Sequence, residues 1–317
     1  MYYANRAIHF DSKDASAYHL LGHLYHRTGN FNKAFECFEQ SIKSEVYSDI
    51  HVQFRVIGDL YFHRGEYLKG IEYYYKQYQL ELENKQNPEY WTLFHLYEKL
   101  GRLGYIEESN RYSERILKLN NDSSGYIHRL MFNHFISGNY DSVIQIGEQQ
   151  FKKDSSGLNW TLPWAWFAKQ NLPEATKWFH TYNRVLKRQG RPAEGDYGLS
   201  FIYYLNGDTE KAIPLFNLAL QLCNNQNEYN LWPELNIPFI HSASIYSSMG
   251  EKEKALECLH KNKSTHLFTL VTLKSCPRFN NLRNEPEFQK ILKDIETQYQ
   301  KHHEQVGRYL HKVGEIE

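Results

Sequence analysis

Tyr18-His-Leu-Leu21-Gly22-His-Leu-Tyr25-His-Arg-Thr-Gly29 decides the fold. Tyr18, Leu21 and Tyr25 fall at i, i+3 and i+7, so they share one face of a helix. Gly22 carries no side chain and lets a partner helix approach closely, while Gly29 supplies the left-handed residue that ends the first helix. Beyond Asn30 a second apolar face follows, built from Ala34, Phe38 and Ile42. Ala34 must be small at the crossing point, and Phe38 fills the groove beside it. Neither helix hides its stripe alone, so such hairpins must stack on one another.

The same scheme recurs along the chain. Gly29, Gly65, Gly104, Gly138, Gly207 and Gly250 each close one apolar helix and open the next. Their spacing is roughly 34 residues, or once about twice that, which is the period of helix–turn–helix repeats. Phe54, Ile57, Gly58 and Tyr61 precede Gly70 and Tyr74; Leu93 and Tyr97 precede Ser109, with extra residues at the turn. His128, Met131 and Phe135 precede Val143 and Gly147 in a weak copy. In the fifth copy, Trp160 to Ala168 precede Ala175 and Phe179, and Pro163 is predicted to kink or delay the first helix. Leu199 and Tyr203 precede Ala212, Phe216 and Ala219; Phe239, Ala243 and Tyr246 precede Ala255 and Leu259.

Seven units and a leading helix over Tyr2–Phe10 result, and across residues 1–262 the chain resembles the tetratricopeptide repeat superfamily. The resemblance implies an all-α fold, a right-handed superhelical solenoid of helix–turn–helix repeats with a concave groove. It also implies a scaffold that holds a protein or peptide partner and has no catalytic role. The leading helix reads as one that has lost its beginning, so the chain is expected to be part of something longer.

Residues 263–317 depart from the repeat and are predicted to form capping helices. Asn284 is the expected N-cap of the last helix, with Pro286 in its first turn and an end near Leu310. Phe288, Ile291, Leu292, Ile295 and Tyr299 make its apolar stripe. Pro277-Arg-Phe…Leu282-Arg-Asn-Glu-Pro-Glu-Phe-Gln289, followed by Tyr299-Gln-Lys-His-His-Glu-Gln-Val306, is similar to the end of repeat arrays in multidomain transcriptional regulators of Bacteroidetes-like bacteria. Cys276 departs from that pattern, where an acidic residue is usual. The resemblance implies a sensory or regulatory array in bacterial signalling, with its output domain outside this chain.

In repeats of this family the first helix of each unit faces the groove. That offset selects His19, His23, Arg55, Asp59, Trp91, His95, His128, Phe132, Trp160, Trp164, Tyr197 and Phe201 as groove residues. Aromatic and Arg side chains are favoured anchors for a bound peptide. The Lys/Asn/Arg set with which some family members grip a terminal carboxylate is not reproduced, since His19, His23 and Val56 stand in its places. An alternative reading is a small-ligand or metal module in the His/Trp groove. His19 and His23 have chelating spacing, but a stable zinc site needs a third or fourth ligand, so no cofactor and no metal are expected.

Totals narrow the function further. Thirty-seven basic residues balance thirty-seven acidic ones, which leaves no electrostatic footprint for nucleic acid. Lys69 to Tyr78 alternates basic and aromatic residues but follows repeat spacing. Four scattered cysteines form no CxxC pair. Nucleotide-binding and hydrolase motifs are missing, and acid pairs such as Glu107-Glu108 and Glu81…Glu83 read as solvated faces. The longest apolar run, Leu267–Leu273, is far short of the ~20 residues of a membrane span. A cytoplasmic location is the default, and a periplasmic one requires a preceding membrane helix.

Overall fold

The computed structural model describes residues 2–12, 14–28, 30–43, 50–84, 88–155, 157–190, 196–229, 237–262 and 264–317. Among them there is no strand. A leading helix α1 (Tyr2–Phe10) is followed by seven hairpins. These are α2 (Ala15–Arg27) with α3 (Phe31–Lys43), α4 (Ile50–His63) with α5 (Tyr67–Glu83), α6 (Tyr90–Arg102) with α7 (Ile106–Asn120), and α8 (Ser123–Ile136) with α9 (Tyr140–Lys153). Then come α10 (Thr161–Ala168) with α11 (Leu172–Arg188), α12 (Asp196–Leu205) with α13 (Thr209–Tyr229), and α14 (Ile237–Ser248) with α15 (Lys252–Lys261). The chain ends in α16 (Leu267–Ser275), a 3₁₀ segment (Pro277–Leu282) and α17 (Pro286–Lys312). It is an all-α solenoid of stacked hairpins, divided into two compact units. Met1–Leu96, Asn225–Leu235 and Glu304–Glu317 make the first; Tyr97–Asn224 and Asn236–His303 make the second.

In three of the hairpins a pair of residues sixteen positions apart, one on each helix, meets at the crossing. In the first, a Cβ on Gly22 would stand 2.7 Å from the Phe38 ring; in the second, one on Gly58 would stand 2.8 Å from Tyr74. The fourth hairpin exchanges the roles, because Gly147 on α9 leaves room for Met131 on α8, whose Cε would lie 2.7 Å from an added Cβ. Its weak match to the repeat is therefore a swap of large and small across the same crossing. Ala34, Ala175, Ala212 and Ala255 are each fully buried at the crossing points of their hairpins.

Gly65, Gly104, Gly138, Gly207 and Gly250 all take left-handed backbone at the hairpin turns; Gly29 lies outside the described residues. The interval without a turn glycine is filled by Gln170, which adopts the same conformation with φ 58°. A side chain there costs about 1–2 kcal/mol relative to glycine. Pro163 delays rather than kinks its helix: α10 starts at Thr161, so Pro163 occupies the first turn, where its missing N–H has no helical partner to lose.

Two expectations need correction. Asn284 does not cap α17: residues 283 and 284 still belong to the turn after the 3₁₀ segment, the helix starts at Pro286, and its first backbone bond runs from Gln289 to Glu285. It continues past Leu310 to Lys312. Glu81 is not solvated but 2% exposed; it accepts from Gln77 Nε2 (3.0 Å), Thr92 Oγ1 (2.7 Å) and the Glu89 N–H (3.0 Å), which compensates the buried charge.

Gly198→Ala tests the close packing. In open space the change would favour a helix by about 1 kcal/mol. Here the new Cβ would meet Phe179 at 2.1 Å, so a net loss of about 1–3 kcal/mol in urea unfolding is expected. Gln170→Gly should raise stability by about 1 kcal/mol in the same assay by releasing the left-handed strain.

Candidate functional site

In the first unit, residues four apart on the first helices form one row. His19 and His23 lie on α2, Arg55 and Asp59 on α4, Trp91 and His95 on α6. The two imidazoles approach Nε2 to Nε2 at 3.1 Å and lean edge-on against Phe38, the ring that fills the Gly22 notch. Burial, then the neighbouring His19, His26 and Arg55, hold the His23 pKa down to about 4, so its ring is neutral near pH 7. Asp59 accepts from Tyr74 Oη at 2.6 Å and lies 3.9 Å from His95 Nε2, and His95 stacks on Tyr74 with centroids 5.5 Å apart. Arg55 sits 6.0 Å from the centre of the Trp91 ring, and Trp91 is 53% exposed. All six expected groove residues of this unit are thus neighbours on one face. Among the described residues no group of three or more His, Cys, Asp or Glu is arranged to hold a metal.

The second unit uses the corresponding face differently. His128 turns its Nε2 onto the Gly157 carbonyl at 2.9 Å. Phe132 and Trp160 pack together at 6.4 Å, with Arg102 over the Phe132 ring. Trp164, Tyr197 and Phe201 do converge, but Phe201 is only 1% exposed and belongs to the core. What they surround is Arg278, from the carboxyl-terminal segment. Its guanidinium lies 4.6 Å from the centre of the Trp164 ring, 5.2 Å from Phe201 and 5.9 Å from Tyr197. Nε donates to Cys276 Sγ (3.1 Å), and Nη1 to Tyr197 Oη (2.9 Å) and Ser244 Oγ (3.4 Å).

The rest of that segment follows the same face. Phe268 packs on Phe135 of α8, Tyr140 Oη lies 3.1 Å from Ser275 Oγ, and Asn281 Nδ2 donates to the Ser247 carbonyl of α14. His303 stacks on Tyr105 at 4.4 Å, and its Nδ1 is 2.7 Å from the Leu103 carbonyl. Within the second unit, then, residues 264–303 do more than cap the last hairpin; they lie along the first helices of hairpins three to seven. Repeat spacing gave no sign of Arg278, Ser244 or His241, because they matter through a segment that is not a repeat. Tyr197 stacks on His241 at 4.8 Å. Burial, and secondarily Arg278, hold the His241 pKa down to about 3, whereas burial raises that of Tyr197 to about 12.

Beside Arg278 is a cavity of about 470 Å³. Its walls combine apolar Phe167, Leu172, Leu205 and Pro277 with polar Gln170, Ser248, Asn280 and Asn281.

A family model described as Tetratricopeptide repeat matches residues 15–45, which is the first hairpin. No curated protein matches the sequence. Among solved structures, a tetratricopeptide repeat protein from Parabacteroides merdae is similar at 12% identity, with 89% of this chain and 98% of that one covered and a TM-score of 0.49. A Rap protein complexed with Competence and Sporulation Factor is similar at 14% identity over 92% of this chain and 76% of that one, with a TM-score of 0.47. Among the described residues no helix is long and apolar enough to cross a membrane.

The histidines set a direction of pH dependence. His23 and His241 bind protons less readily folded than unfolded, so their contribution is complete above about pH 6.5. It is lost as pH falls toward about 4 for His23 and about 3 for His241. Thermal melting is expected to drop across that window. His241→Phe, which keeps a ring on Tyr197, should flatten the drop; an unchanged slope would remove His241 from the account.

Proposed function

We propose that the chain is a non-catalytic protein-interaction scaffold, and that the first unit holds an extended peptide segment across α2, α4 and α6. The observation that carries this reading is Trp91. Large and half-exposed, it has the Arg55 guanidinium beside its ring and sits next to the Tyr74–Asp59–His95 group. Such an anchor is already ordered before binding, so little side-chain entropy remains to be lost. A peptide offering an apolar or aromatic side chain to Trp91 matches this chemistry. The second unit supports it by analogy, since an Arg and aromatic residues of the carboxyl-terminal segment are what its own first-helix face accommodates.

A metal function is not favoured, because His19 and His23 have no third ligand in place among the described residues. As a finer reading, we propose that the array is the regulatory part of a transcriptional regulator. That step rests on the resemblance of residues 277–306 alone, and the gene's full reading frame tests it.

The binding test starts with peptides selected from a random display library on the immobilised chain, then titrated by calorimetry. Trp91→Ala should weaken a selected peptide by ~2 kcal/mol or more, as loss of a central anchor does. Selected peptides that bind the variant as tightly as the wild type would move the site elsewhere.

A further inference from the structure

Arg278 presents an unusual combination in the second unit. It is nine-tenths buried, and among the described residues no carboxylate forms an ion pair with it; its partners are a thiol, a phenol, a hydroxyl and three aromatic rings. These neutral partners orient a guanidinium without neutralising it. A buried cation that lacks a counter-ion is costly to maintain. Nε and Nη1 are engaged, while Nη2 has no acceptor among the described residues. Arg278 also lines the cavity of about 470 Å³, a volume within the range that holds small ligands. Gln170, held in left-handed backbone, contributes to the same wall.

We propose that this cavity is a carboxylate-binding site, in which Nη2 of Arg278 donates to the ligand's carboxylate and Phe167, Leu172, Leu205 and Pro277 receive an adjacent apolar side chain. The guanidinium is planar and always charged, so it donates to a carboxylate without a protonation change. Ser248, Asn280 and Asn281 supply neutral hydrogen-bonding groups for the remainder of the ligand. A chain-terminal carboxylate and an acidic side chain share this chemistry. The site is independent of the Trp91 row, so failure of either leaves the other standing.

Calorimetric titration of the whole chain tests it with three probes. N-acetyl-leucyl-phenylalanine carries a terminal carboxylate, N-acetyl-glutamyl-phenylalaninamide carries one only on its side chain, and N-acetyl-leucyl-phenylalaninamide carries none. At least one acid should bind at least tenfold more tightly than the neutral amide, and the tighter acid identifies the source of the carboxylate. Arg278→Met removes the charge and keeps an unbranched chain in the aromatic cage. It should erase that preference while the melting temperature stays the same or rises. Asn280→Glu, at an exposed position on the cavity wall, places a competing carboxylate there and should weaken the acid at least tenfold. Equal binding of acids and amide, no saturation by either acid at millimolar concentration, or a preference that survives Asn280→Glu overturns the proposal. Because the wild-type comparison and Asn280→Glu do not need Arg278→Met to fold, the result is decisive in any case.

Discussion

Two helices that cross this closely leave room for one large side chain between them. That constraint underlies the hairpins of this protein. Where Gly22 or Gly58 yields, Phe38 or Tyr74 occupies the space from the opposite helix; where Met131 is large, Gly147 yields instead. Dense packing makes the rule strict, since an added methyl has nowhere to go. Once the crossing is fixed, the outward face of each first helix is fixed with it. His19 and His23, Arg55 and Asp59, Trp91 and His95 become one row as a consequence of that geometry, four residues being close to one helical turn.

This explains what could be read directly and what could not. Hairpin number, turn positions and the first-unit row followed from glycine spacing and helical periodicity, which are local properties. The fourth hairpin looked degenerate because a pattern of small-then-large fails to recognise large-then-small, although the summed volume is preserved. The turn at Gln170 was invisible because its left-handed backbone is imposed by the surrounding hairpin rather than favoured by the residue. Glu81 read as a surface acid because its partners, Gln77, Thr92 and the Glu89 N–H, come partly from the following helix. Phe201 fell at a groove offset, yet in the second unit that offset is core.

Two buried charges show opposite solutions to the same problem. Glu81 is met by three donors, one of them a backbone N–H, so its burial is compensated by hydrogen bonds. Arg278 is met by ring faces and neutral dipoles. Rings attract a cation through their quadrupoles, by ~2 kcal/mol or more when desolvated, but they do not cancel its charge. The field of Arg278 therefore extends to its neighbours, and after desolvation it is what depresses the His241 pKa. A fold under selection for stability alone would have little reason to keep a full positive charge in such a cage.

The carboxyl-terminal segment also changes the mechanics of the second unit. In a plain solenoid each hairpin touches only its neighbours, so stability is a sum of local terms and the array flexes as a spring. Here Tyr105 with His303, Tyr140 with Ser275, and Trp164 with Arg278 join residues more than a hundred positions apart. Long-range ties of this kind close large loops and make distant hairpins fold or loosen together. Bending between hairpins three and seven must then disturb residues 264–303, the segment that places Arg278. An anion that tightens the Arg278 cage would thereby stiffen several hairpins at once, and coupling across the unit would not require a signal handed from each repeat to the next.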